Sequence, residues 1–108
     1  MNPNEASANK TFNITTNGTT IIPVPSNPTQ KWVLISVIVM TKGGSGHTAQ
    51  IFDSNATLGA NTDYKKGTLD TVNTLGNVPM QFPMYNGIYI VTGGGTAADL
   101  TVVYKTTP

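Results

Sequence analysis

The chain has 108 residues, a mass of 11.4 kDa, a formal charge of +1 and no cysteine. This length predicts one domain, and folding at this mass removes roughly 65% of the unfolded surface from water, enough for one modest core. The lack of cysteine excludes disulfides and thiolate metal sites. A small chain without cross-links gains stability by burying more surface against partners, which favours an oligomer.

The charge pattern argues against several partners. All six basic residues are dispersed lysines, and recognition of phosphates and bases relies heavily on the planar guanidinium group of arginine. The first ten residues contain no apolar signal segment, and the longest apolar run is too short to span a bilayer. We therefore expect neither nucleic acid nor a membrane as a partner.

The N-terminal region predicts an arm followed by strands. Residues 1–10 are polar and without periodicity, so we expect a flexible arm ahead of a β-sandwich domain at residues 11–108. A short strand is predicted at residues 11–16 and a second at residues 19–24. Asn17-Gly18 between them is a strong hairpin signal, because both residues tolerate a positive φ.

The longest apolar run, KWVLISVIVM at residues 31–40, predicts the central strand. β-Branched residues pack well on a pleated sheet, and both sides of the run are apolar. Strict alternation places Val33, Ile35, Val37 and Val39 on one face and Trp32, Leu34, Ile38 and Met40 on the other. We expect a strand in the middle of a sheet, covered on both faces.

The remaining residues predict further strands separated by turns. Glycine-rich segments at residues 41–47 and 93–96 predict flexible tips, and residues 56–67 predict a surface loop. Residues 78–85 alternate with period two, and two prolines on one side indicate an edge strand or a curved strand. Other strands are predicted at residues 48–53, 88–92 and 99–105, with a hairpin turn at Asn86-Gly87 and an ambiguous segment at residues 68–75. Seven or eight short antiparallel strands without an amphipathic helix predict an all-β fold, a single β-sandwich with jelly-roll topology as first choice.

The ionisable side chains predict no catalytic site. His47 is the only histidine and is flanked by glycines, so we expect a solvated loop residue rather than a rigid base. Asp53 and Asp63 are candidates for a glycosidase pair or, with Asn55, for a calcium site. Their positions favour a turn former and a loop charge instead. We expect no enzyme activity, no metal and no cofactor.

Aromatic residues are few, and they are expected to serve packing. A sugar-stacking platform is the alternative for five of them, but core or subunit-interface packing is favoured. These residues are Trp32, Tyr64, Tyr85, Tyr89 and Tyr104. Neither glycine-rich tip contains an aromatic residue that would indicate a carbohydrate-binding module.

The C-terminal part of the sequence resembles a known class of proteins. NGIYIVTGGGTAADLTVVY at residues 86–104 is similar to the ending of small β-sandwich structural proteins of tailed-bacteriophage virions. The order of the preceding segments, from Ile21 onward, is similar as well. This resemblance implies a capsid decoration, or cement, protein on the capsid surface of the virion, which forms homotrimers and clamps the major capsid protein with an N-terminal arm.

The decoration hypothesis assigns two groups of contact residues. The arm residues expected to contact the capsid are Asn2, Pro3, Asn4, Glu5 and Lys10. The residues expected at the subunit interface are Trp32, Phe82 and Met84. A phage neck or tail component and a carbohydrate-binding β-sandwich module are the alternatives, and a small hydrolase is the least supported.

Overall fold

The computed structural model describes residues 9–107, which form eight strands in two antiparallel four-stranded sheets. The strands are β1 (Lys10–Ile14), β2 (Gly18–Ile22), β3 (Trp32–Thr41), β4 (Thr48–Asp53), β5 (Lys65–Asp70), β6 (Gly76–Met84), β7 (Ile88–Gly93) and β8 (Asp99–Thr106). One short 3-10 helix, Thr62–Tyr64, precedes β5. No helix among residues 9–107 is long and apolar enough to cross a membrane. The predicted all-β sandwich is confirmed.

The strand order identifies the topology. Sheet I has the order β1-β8-β3-β6, and sheet II has the order β2-β7-β4-β5. One long antiparallel hairpin contains four successive strand pairs, β1–β8, β2–β7, β3–β6 and β4–β5. This hairpin is wrapped so that β8 also pairs with β3 and β7 with β4. The arrangement is a jelly roll, as the sequence predicted.

Neither Asn-Gly dipeptide closes a hairpin, so both hairpin predictions were wrong. β1 and β2 lie in different sheets, as do β6 and β7, and both turns therefore cross from one sheet to the other. Gly18 and Gly87 do adopt positive φ angles of 143° and 130°. A Cβ on Gly87 would lie 2.8 Å from the Ser54 carbonyl oxygen. The dipeptide thus fixes the reversal of the chain, whereas the wrapping of the sheets fixes which strands pair.

β3 lies inside sheet I, as predicted, but its two faces differ from the prediction. The register shifts between Leu34 and Ser36, so a β-bulge interrupts the alternation at Ile35. The buried side chains of β3 are Trp32, Leu34, Ser36, Val37 and Val39. The face opposite the core is not fully covered within the described chain, because Met40 is exposed and Val33 and Ile38 are half-buried.

The core lies between the two sheets. Its aliphatic residues come from all eight strands, and Trp32 meets Tyr104 edge to face with ring centroids 4.9 Å apart. β6 is an edge strand of sheet I, as its prolines predicted. Its period-two side chains Val78, Met80 and Phe82 pack against the core. The predicted loop at residues 56–67 was too long, because residues 65–67 already belong to β5 and pair with β4.

Candidate functional site

The sandwich has two ends with different chemistry. The connections β1–β2, β3–β4, β5–β6 and β7–β8 meet at one end. The connections β2–β3, β4–β5 and β6–β7 meet at the other end, where β1 also begins, because Lys10 pairs with Tyr104 beside Trp32. The first end is tied together by a buried histidine, and the second end contains an open groove.

His47 lies at the centre of a hydrogen-bonded network, which we call the histidine clasp: Asn17, His47, Thr71 and Gly95. The His47 Nδ1 atom lies 2.5 Å from Thr71 Oγ1, and Nε2 lies 2.8 Å from Asn17 Oδ1. The Asn17 side-chain amide donates to the Gly95 carbonyl over 2.7 Å. The clasp therefore joins all four connections at this end. Because His47 is only 1% exposed, the prediction of a solvated loop residue was wrong.

The glycine-rich segments pack against each other at the clasp end. Gly44 N–H donates to the Thr96 carbonyl over 2.8 Å. A Cβ on Gly94 would collide with the Gly46 carbonyl oxygen, and one on Gly95 would collide with the Ser45 carbonyl oxygen. The glycines thus permit close backbone approach, so these segments are not the free tips that the sequence predicted.

The clasp does not have the arrangement of a catalytic base. Both ring nitrogens of His47 are engaged, and the Thr71 hydroxyl also lies 3.0 Å from the His47 carbonyl oxygen. A base needs one nitrogen directed at a substrate proton. The geometry therefore favours a role in holding the loops together.

Two of the residues considered for catalysis or calcium, Asp53 and Asn55, hold turns. Asp53 is buried, and its Oδ1 atom accepts a hydrogen bond of 2.7 Å from the Asn86 backbone N–H. The Asn55 Oδ1 atom accepts from the backbone N–H groups of Thr57 and Leu58. Within residues 9–107, no group of three or more His, Cys, Asp or Glu side chains is placed to hold a metal ion.

Asp70 has a local role after β5. A hydrogen bond from the Asn73 side chain lowers the pKa of Asp70, and backbone donors at Val72 and Asn73 lower it further. The side chain is fully exposed, so this turn shapes the β5–β6 connection without forming a pocket. The ambiguous segment at residues 68–75 is thus a strand end followed by a turn.

An open groove of about 390 Å³ lies at the opposite end. It is formed by the end of β2 and by the three connections that meet there. Its lining residues are Ile21, Pro23, Val24, Asn55, Ala56, Thr57, Tyr85 and Asn86. None of them is charged, Tyr85 is 59% exposed and Val24 is 48% exposed. We take this groove as the candidate functional site.

Hydrogen bonds behind the groove fix the position of its walls. Trp32 Nε1 donates to the Pro23 carbonyl over 2.6 Å, which holds the β2–β3 connection against the core. The Asn86 side-chain amide donates to the Asp53 carbonyl over 3.3 Å. Ser54 Oγ donates to the Gly59 carbonyl over 2.6 Å and closes the base of the β4–β5 connection. The groove is therefore preformed.

The structure places the predicted contact residues as follows. Four arm residues, Asn2, Pro3, Asn4 and Glu5, lie outside the described residues. Lys10 is the first residue of β1 and pairs with Tyr104, so it belongs to the sandwich.

The predicted subunit-interface residues belong to the core of their own chain. Met84 has 0% exposure and Trp32 has 8%, while Phe82 is half-buried against the same core. Met84 is therefore unreachable for a sister subunit in this fold. Phe82 is the predicted contact residue that keeps exposed surface.

The aromatic residues divide between packing and exposure. Trp32 and Tyr104 are core residues, as expected, and Phe52 meets Tyr89 with ring centroids 5.9 Å apart. Tyr85 departs from the packing interpretation because it is exposed at the groove. In the sequence, Tyr85 follows the last inward residue of β6 and directly precedes Asn86-Gly87. This position is the signal that would have placed it at an end of the sandwich.

No protein-family model matches this chain, and comparison with curated proteins finds no match. Function is therefore inferred from the fold and the surface.

Proposed function

We propose that this protein is a non-enzymatic structural component of a tailed-phage virion, a decoration protein that binds the outer capsid surface as a trimer and stabilises the shell. Two features support this class: the jelly roll, an architecture common among viral capsid domains, and the resemblance of residues 86–104 to phage virion proteins. The observation that carries the assembly role is the outer face of sheet I.

The outer face of sheet I carries an apolar patch among uncharged polar side chains and has few charges. Val33, Ile38 and Val103 are half-buried on its two central strands, with the exposed residues Pro79 and Pro83 beside them on β6. The charged residues that the strands of sheet I place on this face are Asp99 and Lys105, near opposite ends of β8. Apolar patches with few charges are typical of protein interfaces. We propose that sister subunits cover this face.

The proposed capsid contact is the segment before β1. This segment directly precedes β1 in the sequence, and β1 is an edge strand of sheet I. The polar residues Asn2, Asn4 and Glu5 provide hydrogen-bonding groups for the major capsid protein, in keeping with the clamp that the resemblance implies.

Light scattering behind a sizing column tests the self-assembly. We expect a mass of about 34 kDa, three times the 11.4 kDa chain, for the full protein and for a chain lacking residues 1–8. The truncation stops before Lys10 because that residue pairs with Tyr104. Ile38→Lys places a charge in the apolar face and should give a monomer, whereas Leu75→Lys, at an exposed site outside this face, should not. A monomeric wild type would contradict trimer formation in solution.

Co-sedimentation tests the capsid role. Shells assembled from the major capsid protein encoded in the same genome should retain the full chain and lose the chain lacking residues 1–8. Unchanged retention of the truncated chain would refute the role of the arm. Binding to purified tails but not to shells would favour the neck or tail alternative.

A further inference from the structure

The geometry of the groove points to a second property: we propose that it binds a neutral glycan, with Tyr85 as the stacking surface and Asn55 and Asn86 as hydrogen-bonding partners. The groove is built from β2 and three connections, and none of its lining residues belongs to the outer face of sheet I. The inference is therefore independent of the assembly proposed above.

The lining selects for an uncharged ligand. No lysine, aspartate or glutamate lines the groove, so a phosphate, sulfate or carboxylate group would lose its hydration without gaining an opposite charge. The lining combines apolar side chains with amide and hydroxyl groups. A ligand with both C–H faces and hydroxyl groups matches this combination, and neutral sugars have both.

Tyr85 provides an exposed aromatic surface at a fixed position. Its neighbour Met84 has no exposed surface, and its other neighbour Asn86 is bonded to Asp53 through both its backbone and its side-chain amide. The backbone is thus anchored on both sides of a ring that is itself 59% exposed. An exposed tyrosine ring on an anchored backbone costs little conformational entropy when a ligand stacks on it, because only two side-chain torsions become fixed.

The two asparagines each have one polar atom held by the protein and one available to a ligand. Asn55 Oδ1 accepts two backbone hydrogen bonds, and Asn86 Nδ2 donates to the Asp53 carbonyl. Among the described residues, no hydrogen-bond partner is found for Asn55 Nδ2 or Asn86 Oδ1. One donor and one acceptor therefore remain for a ligand at the groove, which suits a sugar hydroxyl that both donates and accepts.

The size of the groove limits the ligand. Its volume of about 390 Å³ lies near the lower end of the range for small-molecule sites, roughly 300 to 1,000 Å³. This volume suits one or two sugar units rather than a long chain enclosed along its length. An open site with few hydrogen bonds predicts near-millimolar affinity.

An NMR titration of the full chain tests the inference. The probes are glucose, galactose, mannose, N-acetylglucosamine and their common disaccharides, added to ¹⁵N-labelled protein. We expect at least one probe to produce saturable shifts in the backbone amides of Val24, Asn55 and Asn86. Tyr85→Ala should weaken that binding about tenfold, and Tyr85→Phe should keep it within about twofold, since the ring face remains. Leu75→Ala removes an exposed apolar residue from the opposite end and should leave the affinity unchanged.

Four results would overturn the inference. One is the absence of saturable shifts for every probe. Another is glycan binding that Tyr85→Ala leaves intact or that maps to other residues. The third is groove shifts that appear on concentrating the protein alone, which would assign the groove to a second copy of the chain. The fourth is tight binding of a proline-rich peptide when no sugar binds, which would assign the groove to a peptide ligand.

Discussion

Removal of the His47 ring should destabilise the whole sandwich. The ring is 1% exposed, and its two nitrogens bond Thr71 and Asn17, which belong to two other connections. His47→Ala deletes both hydrogen bonds, each worth about 0.5 to 1.5 kcal/mol, and leaves space where a buried ring was packed. We expect the free energy of unfolding to fall by about 2 to 4 kcal/mol.

This loss is large for a chain of this size. Domains of about 100 residues have unfolding free energies of about 5 to 15 kcal/mol, so the variant should fold but with reduced stability. The melting temperature should fall by roughly 10 to 30 °C. Urea unfolding followed by tryptophan fluorescence gives the free energy directly, because Trp32 is a core residue.

Matched variants separate the clasp from general loop effects. Lys42→Ala changes an exposed residue of the same connection and should be neutral. In a double-mutant cycle, His47→Ala and Thr71→Val should show a coupling of at least about 0.5 kcal/mol. A loss below about 0.5 kcal/mol for His47→Ala would mean that the ring behaves as a solvated side chain, and the clasp would be refuted.

Three further predictions concern the backbone and pH. Gln81 has a positive φ of 57°, and Gln81→Gly should raise stability by about 0.5 to 1 kcal/mol in urea unfolding; a decrease would refute backbone strain at this residue. Gly94→Ala should lower the free energy of unfolding by about 2 to 4 kcal/mol, since its Cβ would collide with a carbonyl of the facing loop. Gly67→Ala, with open space around the new Cβ, should be near neutral. Equal effects of the two substitutions would contradict the close packing. Asp70 has a lowered pKa in the folded state, so its ionised form stabilises the protein at neutral pH, and this contribution is lost as the pH falls below about 4. The difference in urea midpoint between the wild type and Asp70→Asn should therefore shrink on acidification, and a constant difference would refute the role of the carboxylate.

Period-two patterns in the sequence predicted strands where one side of the strand faces the core. Val78, Met80 and Phe82 alternate with exposed residues along β6, and this alternation, with the prolines, correctly predicted an edge strand. The signal is reliable because burial on one face is a local property of each strand.

The bulge in β3 could not be predicted from the sequence. Apolar residues occupy both sides of this strand. A one-residue shift at Ile35 therefore moves apolar side chains from one face to the other, and the apolar pattern of the sequence is the same with or without the shift. The apolar excess of a short chain also predicted Trp32 and Met84 at a subunit interface, although both are core residues.

The clasp and the groove depend on contacts between distant segments of the chain. His47 is surrounded by glycines in the sequence, which resembles an exposed loop, but its partners lie 30 and 24 residues away. The groove likewise joins Val24, Asn55 and Tyr85 from three connections. Only the wrapping of the jelly roll brings these residues to a common end, and no local pattern encodes it.

The two proposed surfaces can be tested in the same pair of variants. Ile38 lies on the outer face of sheet I, and Tyr85 lines the groove, so each substitution should change one property and leave the other unchanged. Ile38→Lys should lower the mass in solution while the amide shifts on sugar addition remain. Tyr85→Ala should abolish most of those shifts while the mass remains that of a trimer. If both variants lost both properties, the groove would be complete only in the assembled protein, and the independence of the two surfaces would be wrong.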